Sequence, residues 1–310
     1  MDLATSPRGS IASQVASVST DPTTLASTDT DGLPRIRFQT TKLLAEQIGQ
    51  QTYQALDDIL YVEDVSPEDF TLIQEFRESS GRKYRFKRYY PEHQLLIITI
   101  PTKYHESLHS FIYDEIRGQI RDMGLRFHWA TTSAATFYRE HGRTGSGEGD
   151  SSGHPIQPGR DSSRRWPTIV IEAGYSQSLP QLREDMLWWF RESNHQVKVV
   201  LLVKMYRGPL RKITIEHWRE EPMTFPGART RQRAQQLEPT CAQAIHIIKT
   251  SVTVNDFLPS SYGVTRGALE LRFSDLFLRG PVQGEGNIVI GVDVLQWFGA
   301  TVAHMSETAA

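Results

Sequence analysis

Trp166-Pro-Thr-Ile-Val-Ile-Glu-Ala-Gly174 is a β-branched apolar run broken by one carboxylate, Glu172. Ser178-Leu-Pro180 follows as a helix start, with Ser178 as N-cap and an apolar stripe through Leu179, Leu182, Met186, Leu187 and Phe190. The helix is expected to end near Ser193-Asn194, before a second apolar run, Val197-Lys-Val-Val-Leu-Leu-Val-Lys-Met205. A strand, helix and strand of these lengths predict two parallel neighbours joined by a right-handed crossover. Parallel strands are covered on both faces, so Glu172 is expected at the carboxyl end of a buried strand, where open α/β sheets place their sites.

Upstream, residues 104–123 put Leu108, Ile112, Ile116 and Ile120 at i+4 spacing and close on Gly124, which reads as an amphipathic helix with a glycine just past its end. His105-Glu106 falls in its first turn, where the helix dipole alone favours an acid. Short strands are expected at Arg126-Phe-His-Trp129 and Ala135-Thr-Phe-Tyr138. Residues 81–100 read as two strands around Tyr90-Pro-Glu-His93, the second apolar enough to be central. The first carries Arg82, Lys83, Arg85, Lys87 and Arg88 among Tyr84, Phe86, Tyr89 and Tyr90. This basic-aromatic stripe suits the backbone of DNA or RNA, and equally the wet face of a half-exposed strand.

Ser66-Pro-Glu-Asp69 predicts a capped helix ahead of Phe70, Ile73 and Phe76. Residues 40–60 read as an amphipathic helix through Leu43, Leu44, Ile48, Leu56, Ile59 and Leu60. Residues 1–34, rich in Ser, Thr, Ala and Asp, lack the apolar surface to offset ordering and are expected to be a disordered tail. Gly142-Arg-Thr-Gly-Ser-Gly-Glu-Gly149 lacks the Gly-Lys-Ser/Thr ending of a phosphate loop and is expected to be flexible, continuing through residue 165. Past residue 205, Arg211-Lys-Ile-Thr-Ile-Glu-His-Trp218 alternates like an edge strand, and residues 221–240 read as a linker carrying Arg229, Arg231 and Arg233. Further strands are expected at 244–254, 269–273 and 287–290, with a short helix at 294–302.

The 310 residues carry a net charge of -2, which gives no global attraction to nucleic acid or anionic membranes. Cys241 is the only cysteine, which excludes intrachain disulfides and Cys-based zinc sites and points to a reducing, intracellular compartment, cytoplasmic or nuclear. The first residues have no apolar core and the longest apolar runs are strand-sized, so neither a secretory signal nor a membrane span is expected.

Asp150 precedes Glu172 by 22 positions. A hard divalent cation takes one or two carboxylates with carbonyls and water, so Asp150, Glu172 and the Ala173 carbonyl form a workable ligand set. Asp, this spacer, then Glu-x-x on an apolar strand before a crossover helix and strand resembles the PD-(D/E)XK, or restriction-endonuclease-like, nuclease superfamily. The expected element order also follows its α-β-β-β-α-β core. More narrowly, the strand at 95–100 with His105-Glu106, the stretch from Trp166 through Tyr175-Ser-Gln-Ser-Leu-Pro-Gln-Leu-Arg-Glu-Asp185, and 197–204 are similar to uncharacterised eukaryotic proteins distantly like the bacterial Uma2-type endonucleases. So are Gly267-Ala-Leu-Glu-Leu-Arg-Phe-Ser-Asp-Leu-Phe-Leu-Arg-Gly-Pro281 and Gly284-Glu-Gly-Asn-Ile-Val-Ile290; the similarity spans about residues 70–295.

The resemblance implies an α/β fold with a mixed sheet: a restriction-endonuclease-like core over 35–220 and a β-rich C-terminal extension over 221–310, packed on or beside it. It implies Mg²⁺- or Mn²⁺-dependent hydrolysis of phosphodiesters in DNA or RNA, with Glu106 as ligand of a second ion or as an orienting group. Two positions depart from the motif. Gly149-Asp150 replaces Pro-Asp, and Gly174 stands where the catalytic Lys belongs. In that superfamily the Lys migrates. Parallel strands favour Lys204 over Lys198 as its replacement, with Gly174 leaving room, and Arg183 is a weaker substitute because guanidinium does not deprotonate. A degenerate site also allows a catalytically inactive nuclease-fold module that binds nucleic acid or protein. Gly174-Tyr-Ser-Gln-Ser178 occupies the place of a hydrolase nucleophile elbow, but Ser178 stands where Gly is required and no His-Gly-Gly-Gly loop precedes it.

Overall fold

In a computed structural model the described residues are 32–54, 57–81, 84–132, 135–139, 145–156, 166–223 and 237–307. The tail expected over 1–34 lies almost wholly outside them, as do Leu56, Arg82, Lys83, Arg229, Arg231 and Arg233.

Strand β1 (Arg35–Arg37) is followed by helix α1 (Thr41–Gln54) and strand β2 (Ile59–Glu63), which runs parallel to β1. The helix expected over 40–60 therefore holds only in its first part. Ile59, Leu60, Tyr61 and Val62 are all buried, and a run of four buried β-branched or bulky apolar residues satisfies a strand covered on both faces, not one helix stripe. Helix α2 (Pro67–Ser80) begins at a reciprocal capping box: Ser66 Oγ accepts from the Asp69 N–H at 3.1 Å, and the Asp69 carboxylate accepts from the Ser66 N–H at 3.2 Å. Strands β3 (Arg85–Tyr90) and β4 (Leu95–Thr99) fold around a 3₁₀ turn at Pro91–His93, and β4 is interior, as its apolar sequence predicts.

Helix α3 (Lys103–Asp122) buries Leu108, Ile112, Ile116 and Ile120 on one stripe. After it come β5 (Trp129–Thr131), β6 (Phe137–Tyr138), β7 (Ser146–Gly147), β8 (Ser151–Pro155), β9 (Ile169–Gly174), α4 (Leu179–Glu192) and β10 (Val199–Tyr206). Ser178 caps α4 in a second reciprocal box with Gln181. Strands β9 and β10 are parallel, with Leu202 opposite Glu172 and Lys204 opposite Gly174. The chain ends through β11 (Lys212–Pro222), β12 (Leu237–Lys249), β13 (Tyr262–Thr265), β14 (Leu269–Leu271), α5 (Phe273–Phe277), β15 (Ile288–Ile290) and α6 (Val292–Glu307).

One sheet has the order β1-β2-β4-β3-β7-β6 and a second β13-β12-β11-β10-β9-β8-β5, with β14 and β15 as a separate pair. The fold is thus α/β with mixed sheets, and α3, β5, β8, β9, α4 and β10 supply the α-β-β-β-α-β order. Several expectations change: Arg126–His128 is a 3₁₀ turn with only Trp129 of that stretch in β5, and both ends of the expected 221–240 linker lie in β11 and β12. The second core strand is β8, inside the supposed loop, while β6 belongs to the other sheet; and β11 is interior, between β10 and β12. The glycines around β8 permit close approach rather than freedom. A Cβ on Gly147 would stand 2.7 Å from the Trp188 ring, and one on Gly153 would run into the Tyr113 hydroxyl and the Trp129 indole.

Along β9, Ile169, Ile171 and Ala173 join the core under α3 and α6, while Val170 packs with Trp189 and Met186 of α4. Strand alternation puts Glu172 on that second, α4 face. No helix among the described residues is long and apolar enough to cross a membrane.

Candidate functional site

Glu172 is fully buried, and its two cationic partners come from the other sheet. Lys87 Nζ donates to Oε2 at 2.5 Å, Arg88 Nη2 to Oε1 at 2.9 Å, and the Trp189 indole N–H to Oε1 at 2.5 Å. Adjacent strand residues normally point to opposite faces. Here the β3–β4 register shifts between Phe86 and Arg88, and this bulge brings Lys87 and Arg88 to the same acid. Asp185 on α4 completes a charge-balanced quartet, 3.2 Å from Lys87 and 3.5 Å from Arg88, and is held by Gln177 Nε2 at 2.9 Å. The Arg88 guanidinium lies 4.3 Å from the Trp188 ring centre. Burial would discharge Lys87, but Asp185, Glu172 and Asp150 outweigh it and raise its pKa.

Asp150 sits just before β8 with 1% of its side chain exposed. Its Oδ2 accepts from the Ala173 N–H at 2.8 Å, and its Oδ1 stands 3.0 Å from His105 Nε2, off the line of a hydrogen bond. The other ring nitrogen of His105, Nδ1, is 2.9 Å from Asp58 Oδ2. The Asp58 carboxylate also accepts from the N–H groups of Tyr175 and Ser176. Burial opposes the imidazolium, yet Asp150 and Asp58 push the His105 pKa up to about 10. Burial opposes ionisation of both acids too. Asp150 is nevertheless held well below the usual range by His105 and Lys87, and Asp58 by His105 and the two N–H groups.

One turn outward, Arg85 forks onto Glu106 at 2.7 and 3.0 Å, and reaches 3.9 Å from Asp150. His109 Nε2 is 3.4 Å from Glu106 Oε1, and His109 Nδ1 meets Ser151 Oγ at 2.8 Å. Burial pushes Glu106 up, but His109 and Arg85 prevail and bring it down to about 2. A further pair joins the half-buried Arg77 to the buried Glu148 at 2.9 Å.

The sequence-derived site is therefore brought together only in part. Asp150 and Glu172 flank the end of β9, but Ala173 offers Asp150 its N–H. The ammonium beside Glu172 is Lys87. Lys204 instead donates to the Tyr175 carbonyl at 2.8 Å, and the space at Gly174 goes to α4, since a Cβ there would stand 2.8 Å from Leu182. Burial lowers the Lys204 pKa to about 8 against the pull of Asp58. Lys198 donates to the His195 carbonyl at 2.5 Å, and Arg183 pairs with Glu216 at 2.5 Å; neither reaches Glu172. In the basic stripe, Lys87 and Arg88 point inward and Arg85 is committed to Glu106, while Arg82 and Lys83 lie outside the described residues. Ser176 Oγ accepts from the Asp58 N–H at 3.1 Å, and no histidine touches it among the described residues.

A divalent ion on Glu172 would stand beside two fixed cations and displace one of them, so the residues around Glu172 do not fit the expected magnesium or manganese. Sequence reading missed Asp58, Asp185, Lys87 as an internal cation, and the pairing of His105 with His109. Only the last had a legible signal, the His-Glu-x-x-His spelling of 105–109 at helical spacing.

No family model matches the chain, and no curated protein matches it. Among solved structures it is similar to a "putative nuclease belonging to DUF820" from Anabaena variabilis, at 14% identity over 47% of this chain and 82% of that one, with a TM-score of 0.30.

Proposed function

We propose that the chain is an interaction module of nuclease-like architecture that does not hydrolyse phosphodiesters at Asp150 and Glu172. One observation carries this reading: both Glu172 oxygens are held by nitrogens of Lys87, Arg88 and Trp189 at 2.5–2.9 Å, and the side chain is fully buried. Breaking such pairs costs more than a hydrated cation returns, because every displaced donor becomes an uncompensated buried group. The inward stripe disfavours nucleic acid as the partner. A protein partner is favoured by Phe127 at 81% and Val282 at 63% exposure, on segments tied together where the Gly286 N–H meets Met123 Sδ and Gln119 bonds the Val289 backbone.

The test is incubation with single- and double-stranded DNA and RNA in Mg²⁺ or Mn²⁺. The expected result is no cleavage and no binding tighter than the non-specific range of roughly 10⁻⁴ to 10⁻⁶ M. A second reading, metal-dependent phosphodiester hydrolysis, is favoured by the meeting of Asp150, Glu172 and an ammonium group at one strand end. In that reading Lys87 takes the role expected of Lys204. Metal-dependent cleavage that disappears in folded Glu172→Gln and Lys87→Met variants would establish it and overturn the first.

A further inference from the structure

The face of α3 that turns toward β8 carries a second arrangement, independent of the module reading. His105 and His109 lie one turn apart, both are more than nine-tenths buried, and the Nε2 of each lacks a hydrogen-bond partner. Both orphaned nitrogens are aimed at a carboxylate: His105 Nε2 is 3.0 Å from Asp150 Oδ1, and His109 Nε2 is 3.4 Å from Glu106 Oε1. Donor atoms around a tetrahedral zinc ion sit roughly 3.3 Å apart, given ligand bonds of about 2.0–2.2 Å, and these two spacings bracket that value. Donor atoms of His105, Glu106 and His109 all lie within 4.8 Å of one another.

The opposite nitrogens are fixed as metal-bound imidazoles require. His105 Nδ1 is held by Asp58 and His109 Nδ1 by Ser151, so each ring presents Nε2 at a set angle. The Arg85 guanidinium forks onto Glu106 and approaches Asp150, and an entering ion must displace it from Glu106. Glu106 is the side chain nearest solvent, 40% exposed, and can turn from Arg85 to an entering ion.

We propose that His105 Nε2, His109 Nε2 and Glu106 form a binding site for a first-row transition metal, with Asp150 beside His105, and zinc best matches two nitrogens and a carboxylate. Two imidazoles select against magnesium, which prefers oxygen and keeps its waters. Binding sends the His105 ring proton to solvent and frees Arg85 from Glu106.

The experiment uses the full chain, stripped with a chelator and titrated with Co²⁺ and then Zn²⁺. The expected result is the visible d–d absorption of a tetrahedral cobalt ion at one equivalent, displaced by Zn²⁺ and unmoved by excess Mg²⁺. His109→Gln is expected to weaken cobalt binding at least tenfold. Glu106→Gln, at a half-exposed position that folding tolerates, is expected to weaken it by a similar factor and keeps the test open should His109→Gln fail to fold. No absorption from folded wild-type protein, displacement by Mg²⁺, or affinity unchanged in the folded variants would overturn the site. Cobalt bound without nucleic-acid cleavage leaves the module reading standing; magnesium-dependent cleavage without bound cobalt removes both.

Discussion

Lys204 shows how far a single side chain is decided by its surroundings. From the sequence it is the natural replacement for the motif lysine, because parallel strands bring it level with Gly174, and that register is what forms. Side-chain direction then carries it away, to the Tyr175 carbonyl and the neighbourhood of Asp58. With its pKa brought down to about 8 from the ordinary 10.5, the folded chain holds this proton less tightly than the unfolded chain. Unfolded chains then bind more protons between about pH 8 and 10.5, so stability gains as pH rises through that window. Urea unfolding of the wild type against Lys204→Met is expected to show a relative gain of roughly 2 kcal/mol from pH 7.5 to 10.5, and a flat difference would remove the burial argument.

At the scale of elements, capping signals and apolar spacing were legible, and ladder irregularities were not. Ser66 and Ser178 both cap as their sequences predict, and Ser66→Ala is expected to cost about 1 kcal/mol in a urea midpoint comparison. The bulge in β3 leaves no mark in Arg85-Phe-Lys-Arg-Tyr-Tyr90, where simple alternation would separate Lys87 from Arg88; tertiary demand for two cations at Glu172 sets it. Strand β8 was hidden for a different reason. Glycines read as freedom in a sequence, yet here Gly153 lets Tyr113 and Trp129 approach. Gly153→Ala is expected to destabilise by about 1–3 kcal/mol through overpacking, measured as a lowered urea midpoint with unchanged slope.

At the scale of the molecule, a charge network joins the two sheets. Lys87 and Arg88 come from one, Glu172 from the other, and Asp185 from the helix that follows it. The strand-helix-strand at its centre was readable from apolar runs and caps. The network was not, because its partners are 84–85 positions apart and no local pattern links them. Such a joint predicts that the sheets lose protection together: in Glu172→Gln, amide exchange in β3 and in β9 is expected to accelerate by the same free energy, whereas acceleration confined to β9 would show that the sheets open separately.

The most direct test is a double-mutant cycle on Lys87 and Glu172 read by urea unfolding. Removing either charge alone strands its partner in the interior, so Lys87→Met and Glu172→Gln are each predicted to cost about 3–5 kcal/mol. The double variant leaves Arg88 and Asp185 in balance and is predicted to cost less than the two single losses combined, by at least about 2 kcal/mol. Single losses under about 1 kcal/mol that add without coupling would contradict the account, because Glu172 would then be free to serve a cation from solution.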